Sequence, residues 1–109
     1  VAAYRVTLAY RGILGREPDT SGLDGYSEHL VAGESVLWLC DILASSGEFQ
    51  DGRAQLSAHD MAVELYQGIL GREPDPGGLH ATIEAIESGL LTSRAAAMIL
   101  SSEAEQNFH

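Results

Sequence analysis

Ala3, Val6, Tyr10, Ile13 and Leu14 recur at the three-and-four spacing that lines one face of a helix. Ala62, Leu65, Tyr66, Ile69 and Leu70 repeat the pattern later in the chain. Ser57 followed by Asp60 marks the start of the later helix as a weak capping box. Gly15 and Gly71 stand where a helix stops on a left-handed residue without a Cβ. A Glu-Pro pair follows each stop, and the proline keeps the preceding glutamate extended. Asp19 and Asp75 are then placed as N-caps of a middle helix. Pro76 occupies the first helical position of the later one. The pattern predicts middle helices over residues 20–32 and 76–88, closed by Gly33 and Gly89. Third helices begin at Ser35 and Thr92, carry VLWLCDIL and RAAAMIL, and fade near Ser46 and Glu105. Residues 47–55, GEFQDGRAQ, read as the segment between them, and strand-like alternation appears nowhere.

The two halves spell one sentence twice. YRGILGREPDTSGL opens at Tyr10 and YQGILGREPDPGGL at Tyr66, an offset of 56 residues. Between residues 10–33 and 66–89, 13 of 24 positions are identical without a gap. A repeat of this length implies one supersecondary unit stacked on its copy. The expected fold is all-α: a single domain over residues 1–109, a compact bundle of about six helices. It is expected to be built from two tandem three-helix repeats, residues 1–50 and 57–109.

Charge narrows the partners. Asp and Glu number 16 against 6 Lys and Arg, a formal net charge of −10, and all six cations are arginine. Nucleic-acid binding relies on clustered cations that neutralise phosphate, and no such cluster exists. An anionic membrane surface is disfavoured for the same reason, and no apolar run is long enough to insert. One cysteine, Cys40, excludes a disulfide framework and a Cys-rich zinc site.

Most of the shared sentence has a structural meaning. Gly12, Gly68, Gly22 and Gly78 sit inside helices, at about 1 kcal/mol each relative to Ala, where two helices approach closely or a ligand meets backbone. Arg16 and Arg72 follow a helix end beside a Glu and an Asp. Such a guanidinium can fork onto a carboxylate and tie down the bend, or meet the preceding helix's last carbonyls. The functional alternative faces these groups outward: Arg16, Glu17 and Asp19, with Arg72, Glu73 and Asp75, would grip vicinal sugar hydroxyls. Two such corners would make a bivalent binder. Tyr26 and Trp38 supply the aromatic platform in that reading, while the apolar VLWLC run equally places Trp38 in the core.

The pattern YxxILGREPDxxGL, with the Ser-Ser-x-Glu-Phe close at Ser45 to Phe49, resembles the bacterial domain of unknown function family 4214 across both copies. A looser likeness is to the helical linker domains of cyanobacterial light-harvesting assemblies, the phycobilisome linkers. The resemblance implies an α-helical accessory module without catalytic activity or cofactor. Such modules sit in large exported or surface proteins, often beside calcium-binding repeats and sometimes beside glycosyltransferases. The implied location is extracellular or at the cell surface as part of a larger bacterial protein, or cytoplasmic where a glycosyltransferase is attached. Family members place an aromatic about three residues after Gly-Leu. Tyr26 fills that place in the first copy and Thr82 in the second, and Trp38 is matched by Arg94.

Other chemistry finds little support. His29, His59, His80 and His109 never fall at the i, i+4 spacing of a zinc pair, and His109 reads as a purification-tag remnant. Glu17, Asp19 and Gly22 lack the alternation of a calcium loop. Cys40 lies in an apolar run, where a thiol is inert. The expected function is a non-catalytic carbohydrate- or glycan-binding accessory module. Its alternative is a structural spacer or protein-docking module with no small-molecule ligand.

Overall fold

A computed structural model of the chain describes residues 2–72 and 75–101. The first amphipathic run forms α1, Ala2–Ala9, and continues as one wider π-helical turn over Tyr10–Leu14. After the first bend come α2, Thr20–Val31, and α3, Val36–Ser45. The joining stretch departs from expectation. It folds into a short α4, Gly47–Asp51, and a 3-10 turn, Arg53–Gln55. The cause is local: Ser46 accepts the Phe49 backbone N–H as an N-cap, and Phe49 is buried. The second half supplies α5, Ala58–Leu70, α6, Pro76–Glu87, and α7, Thr92–Ile99. The described residues thus hold seven α-helices where about six were expected, and no strand. The expected fade of the last helix near Glu105 lies outside the described residues, as does His109.

The punctuation works as the residue types dictate. Gly15 and Gly71 both take φ 70, the left-handed conformation that closes a helix without Cβ strain. The Asp19 and Asp75 carboxylates accept the backbone N–H of Gly22 at 3.2 Å and of Gly78 at 2.6 Å. Ser57 accepts from the Asp60 N–H as the capping box requires.

The core is an inner layer made by α1 with its π-turn, α3, α5 and α7. Val6, Ile13, Leu39, Cys40, Leu65 and Leu100 are the largest side chains wholly withdrawn from water. The π-turn lies across α5, and α3 lies against α7. Helices α2 and α6 contribute no fully buried residue and cover α1 and α5 from outside. The radius of gyration, 13.0 Å, is that of a compact chain of this length. No described helix is long and apolar enough to cross a membrane.

Glycine sets the central crossing. A Cβ on Gly68 would overlap the Arg11 carbonyl oxygen and stand 2.5 Å from Gly12 Cα. A Cβ on Gly12 would stand 2.7 Å from Ile69 Cγ1. The outer glycines seat tyrosines: a Cβ on Gly22 would meet the Tyr10 hydroxyl at 2.7 Å, and one on Gly78 the Tyr66 hydroxyl at 2.9 Å. Each of the four thus lies against a neighbouring atom that a Cβ would crowd.

Candidate functional site

The first bend brings Arg53 from a distant part of the chain to Arg11 and Arg16, and each of the three arginines has a carboxylate. The Arg16 fork is held from α4. Its Nε donates to Glu48 Oε2 at 2.7 Å and its Nη2 to Glu48 Oε1 at 2.8 Å. Its Nη1 donates to the Glu17 backbone carbonyl at 3.0 Å, and its guanidinium carbon stands 5.3 Å from the Tyr10 ring centre. These bonds hold Glu48 below the usual glutamate range and push Arg16 further up. Glu17 turns back to Arg11, whose Nε and Nη2 both reach Oε1 at 2.7 Å.

The role of meeting the preceding helix's last carbonyls falls to Arg53, not Arg16. Arg53 Nε donates to the Ile13 carbonyl at 2.9 Å and Nη2 to that of Gly12 at 3.4 Å. Its Nη1 stands 3.6 Å from Glu64 Oε1. The guanidinium lies over Gly15, where a Cβ would approach it to 2.5 Å. Glu48 and Arg53 were missed in the sequence because the joining stretch read as a linker. The signal was the Ser-Ser-x-Glu-Phe close: Ser46 caps, Glu48 clamps and Phe49 anchors.

The three arginines line an open charged groove of about 460 Å³ together with Glu17 and Glu64. Asp19 and Tyr26 belong to a different groove of about 320 Å³, with Tyr10, Ser21, Gly25 and His29. Asp19 Oδ1 caps α2, and its Oδ2 accepts from the Ser21 hydroxyl at 3.3 Å. Tyr26 meets Tyr10 at 6.3 Å between ring centres and Trp38 edge-on at 6.2 Å. His29 lies 5.0 Å from Trp38. Trp38 is half-buried and packs against the core, so it is neither wholly inside nor a free platform. Burial raises the Tyr10 phenol above its ordinary value, with Tyr26 and Asp19 adding to the effect.

At the second bend Asp75 caps α6, Arg72 lies on the surface, and Glu73 lies outside the described residues. Burial pushes the Cys40 thiol up to about 12, as expected of an inert core cysteine. Among the described residues no group of three or more His, Cys, Asp or Glu side chains could hold a metal ion.

This geometry defines an all-α module whose motif residues mainly fasten helices to one another. The chain belongs to the DUF4214 family, a domain of unknown function, whose model matches residues 40–108. The matched stretch takes in most of α3, the joining segment and the second motif, and leaves the first motif outside it. No curated protein and no solved structure matched the chain.

Proposed function

We propose that the chain is a non-catalytic structural and protein-docking module, made of two tandem helical units, within a larger bacterial protein. The observation that carries this reading is the Arg16 fork, whose Nε, Nη1 and Nη2 all donate within the chain, two bonds to Glu48 and one to the Glu17 carbonyl. A guanidinium so engaged fastens α4 to the first bend, with three of its five N–H groups committed within the chain. Glu17 and Asp19 are engaged likewise, by Arg11 and by the α2 N-terminus. On a glycan array the intact chain is expected to stay dark, and Arg16→Ala to lower the melting temperature. A saturable sugar response, lost in Arg16→Ala without a change in melting, would overturn the reading.

Glycan binding remains a second reading, supported by the groove where Asp19, Ser21, Tyr26 and His29 converge next to Trp38. A carboxylate oxygen that accepts one hydrogen bond can accept a second, so Asp19 keeps capacity for a hydroxyl. The location shifts from the paired corners to one groove of the first copy. Trp38, the sole tryptophan, is the reporter. Its fluorescence should respond to the cognate sugar and lose that response in Tyr26→Ala. A flat titration across neutral and acidic oligosaccharides removes this reading.

A further inference from the structure

We propose that the cleft between α6 and α7 is a docking slot for one aromatic side chain of a partner protein, presented beside a carboxylate that pairs with Arg94. The inference rests on the docking reading above and names the surface and the chemistry of the partner.

The first-copy groove is lined by Tyr10, Gly22, Gly25, Tyr26 and His29. The residues 56 positions later, Tyr66, Gly78, Ala81, Thr82 and Ala85, line a second cleft. The floor is the same in both, a tyrosine hydroxyl seated on a glycine. The walls are not. In the first copy Tyr26, His29 and Trp38 form a contiguous aromatic cluster. In the second, Thr82 and Ala85 replace Tyr26 and His29, Ala95 replaces Leu39, and Arg94 replaces Trp38. Removing those rings leaves a predominantly apolar cleft of about 240 Å³, with Leu90 and Ile99 in its wall. That exceeds the roughly 150 Å³ of an apolar cavity known to take up benzene.

Charge selects the occupant. Among the described residues Arg94 makes no ion pair. It lines a neighbouring apolar hollow of about 220 Å³ that shares Leu90 and Met98 with the cleft. A carboxylate next to the inserted ring would reach it. The cleft is open on one side, so a ring carried on a polypeptide, whose backbone covers that side, removes more apolar surface from water than a free ring does. A second copy of the chain is disfavoured because each carries a net charge of −10.

The test is methyl and amide NMR of the whole chain, titrated with capped tetrapeptides Gly-Phe-Glu-Gly, Gly-Ala-Glu-Gly and Gly-Phe-Gln-Gly, and with benzyl alcohol. The Phe-Glu peptide should shift the Ala85 and Ala95 methyls saturably, and the Ala-Glu peptide should not. The Phe-Gln peptide should bind about threefold more weakly, the worth of one surface ion pair. Arg94→Gln should erase that difference. Thr82→Tyr, which restores the first copy's residue, and Ala85→Leu, a second way to close the cleft, should abolish the shifts while spectral dispersion is kept. Unmoved Ala85 and Ala95 methyls overturn the slot, as do shifts that survive both closing variants. So does benzyl alcohol binding as tightly as the peptide, or methyls that move with protein concentration alone. A glycan-array response would instead strike the docking reading and leave the peptide titration to be judged by itself.

Discussion

Substituting alanine at Gly68 and at Gly25 should move stability in opposite directions, although both glycines lie inside α-helices. Taken alone, helix propensity favours alanine by about 1 kcal/mol at either site. At Gly25 a new Cβ meets nothing within 4 Å, so the propensity gain stands, and Gly25→Ala should stabilise by about 0.5–1 kcal/mol. At Gly68 the new Cβ would overlap the Arg11 carbonyl oxygen and Gly12 Cα, which are backbone atoms that no rotamer change can move aside. Ordinary contact lies about 1 Å further out, so the π-turn and α5 must separate. Ile13, Leu65 and Ile69, all buried at this crossing, lose their fit. Overpacking of this kind costs about 1–3 kcal/mol, and backbone-on-backbone overlap belongs at the upper end. The propensity gain offsets part, leaving a net loss of about 2 kcal/mol. For a chain near 100 residues that lowers the melting temperature by about 10 °C. Thermal and urea unfolding followed by far-UV circular dichroism reads both variants. A Gly68→Ala protein that melts at or above the parent, or a pair of variants that move together, would refute the steric account.

Three further outcomes follow from the first bend and the core. A double-mutant cycle with Arg16→Gln and Glu48→Gln should give a coupling of about 0.2–1 kcal/mol, because both side chains are 45% exposed and solvent screens the pair. Since Glu48 is held below its ordinary value, this contribution is complete above the unfolded glutamate pKa and fades as pH falls through the lowered one. Acid unfolding of Glu48→Gln should therefore lack that component, and identical acid profiles would argue against the clamp. Arg53→Met should cost about 1–3 kcal/mol by leaving the partly buried Gly12 and Ile13 carbonyls without their donor, measured by urea unfolding; a smaller loss means water replaces the guanidinium. Cys40, with its thiol pushed up to about 12, should react with a disulfide reagent at pH 8 only at the rate of unfolding, so prompt labelling of the native protein would contradict its burial.

Much of the fold was legible because its determinants are local. Asp19, Asp75, Gly15 and Gly71 act on atoms within four residues of themselves, and sequence spacing reports such contacts directly. The middle helices ended within a residue of the predicted stops. What escaped was long-range. Glu48 reaches Arg16 across 32 positions and Arg53 reaches Ile13 across 40, and neither leaves a periodic trace. The π-turn escaped for a related reason. Tyr10–Leu14 and its counterpart in α5 differ at one residue, Arg11 against Gln67, yet only the first widens. It is the turn whose carbonyls Arg53 holds, a tertiary contact that the repeat by itself does not encode.

The duplication separates two kinds of residue by their physics. Positions kept in both copies answer a steric or hydrogen-bonding demand: a glycine where backbones cross, an Asp where a helix begins, a tyrosine seated on a glycine. Changing any of them breaks geometry whatever the module binds. Positions that differ, such as Tyr26 against Thr82 and His29 against Ala85, line the grooves over α2 and α6, helices with no fully buried residue. Those outer helices accept several side chains there without disturbing the inner crossing, which leaves the grooves free to diverge. The shared motif therefore fixes the frame, and recognition is better sought where the copies disagree. One groove carries aromatic rings and a carboxylate, while the other is an apolar hollow near Arg94, which makes no ion pair among the described residues. On the docking reading proposed above, two surfaces of such different chemistry on one frame would take different occupants, and the duplication would build a connector between unlike contacts rather than a bivalent reader of one ligand.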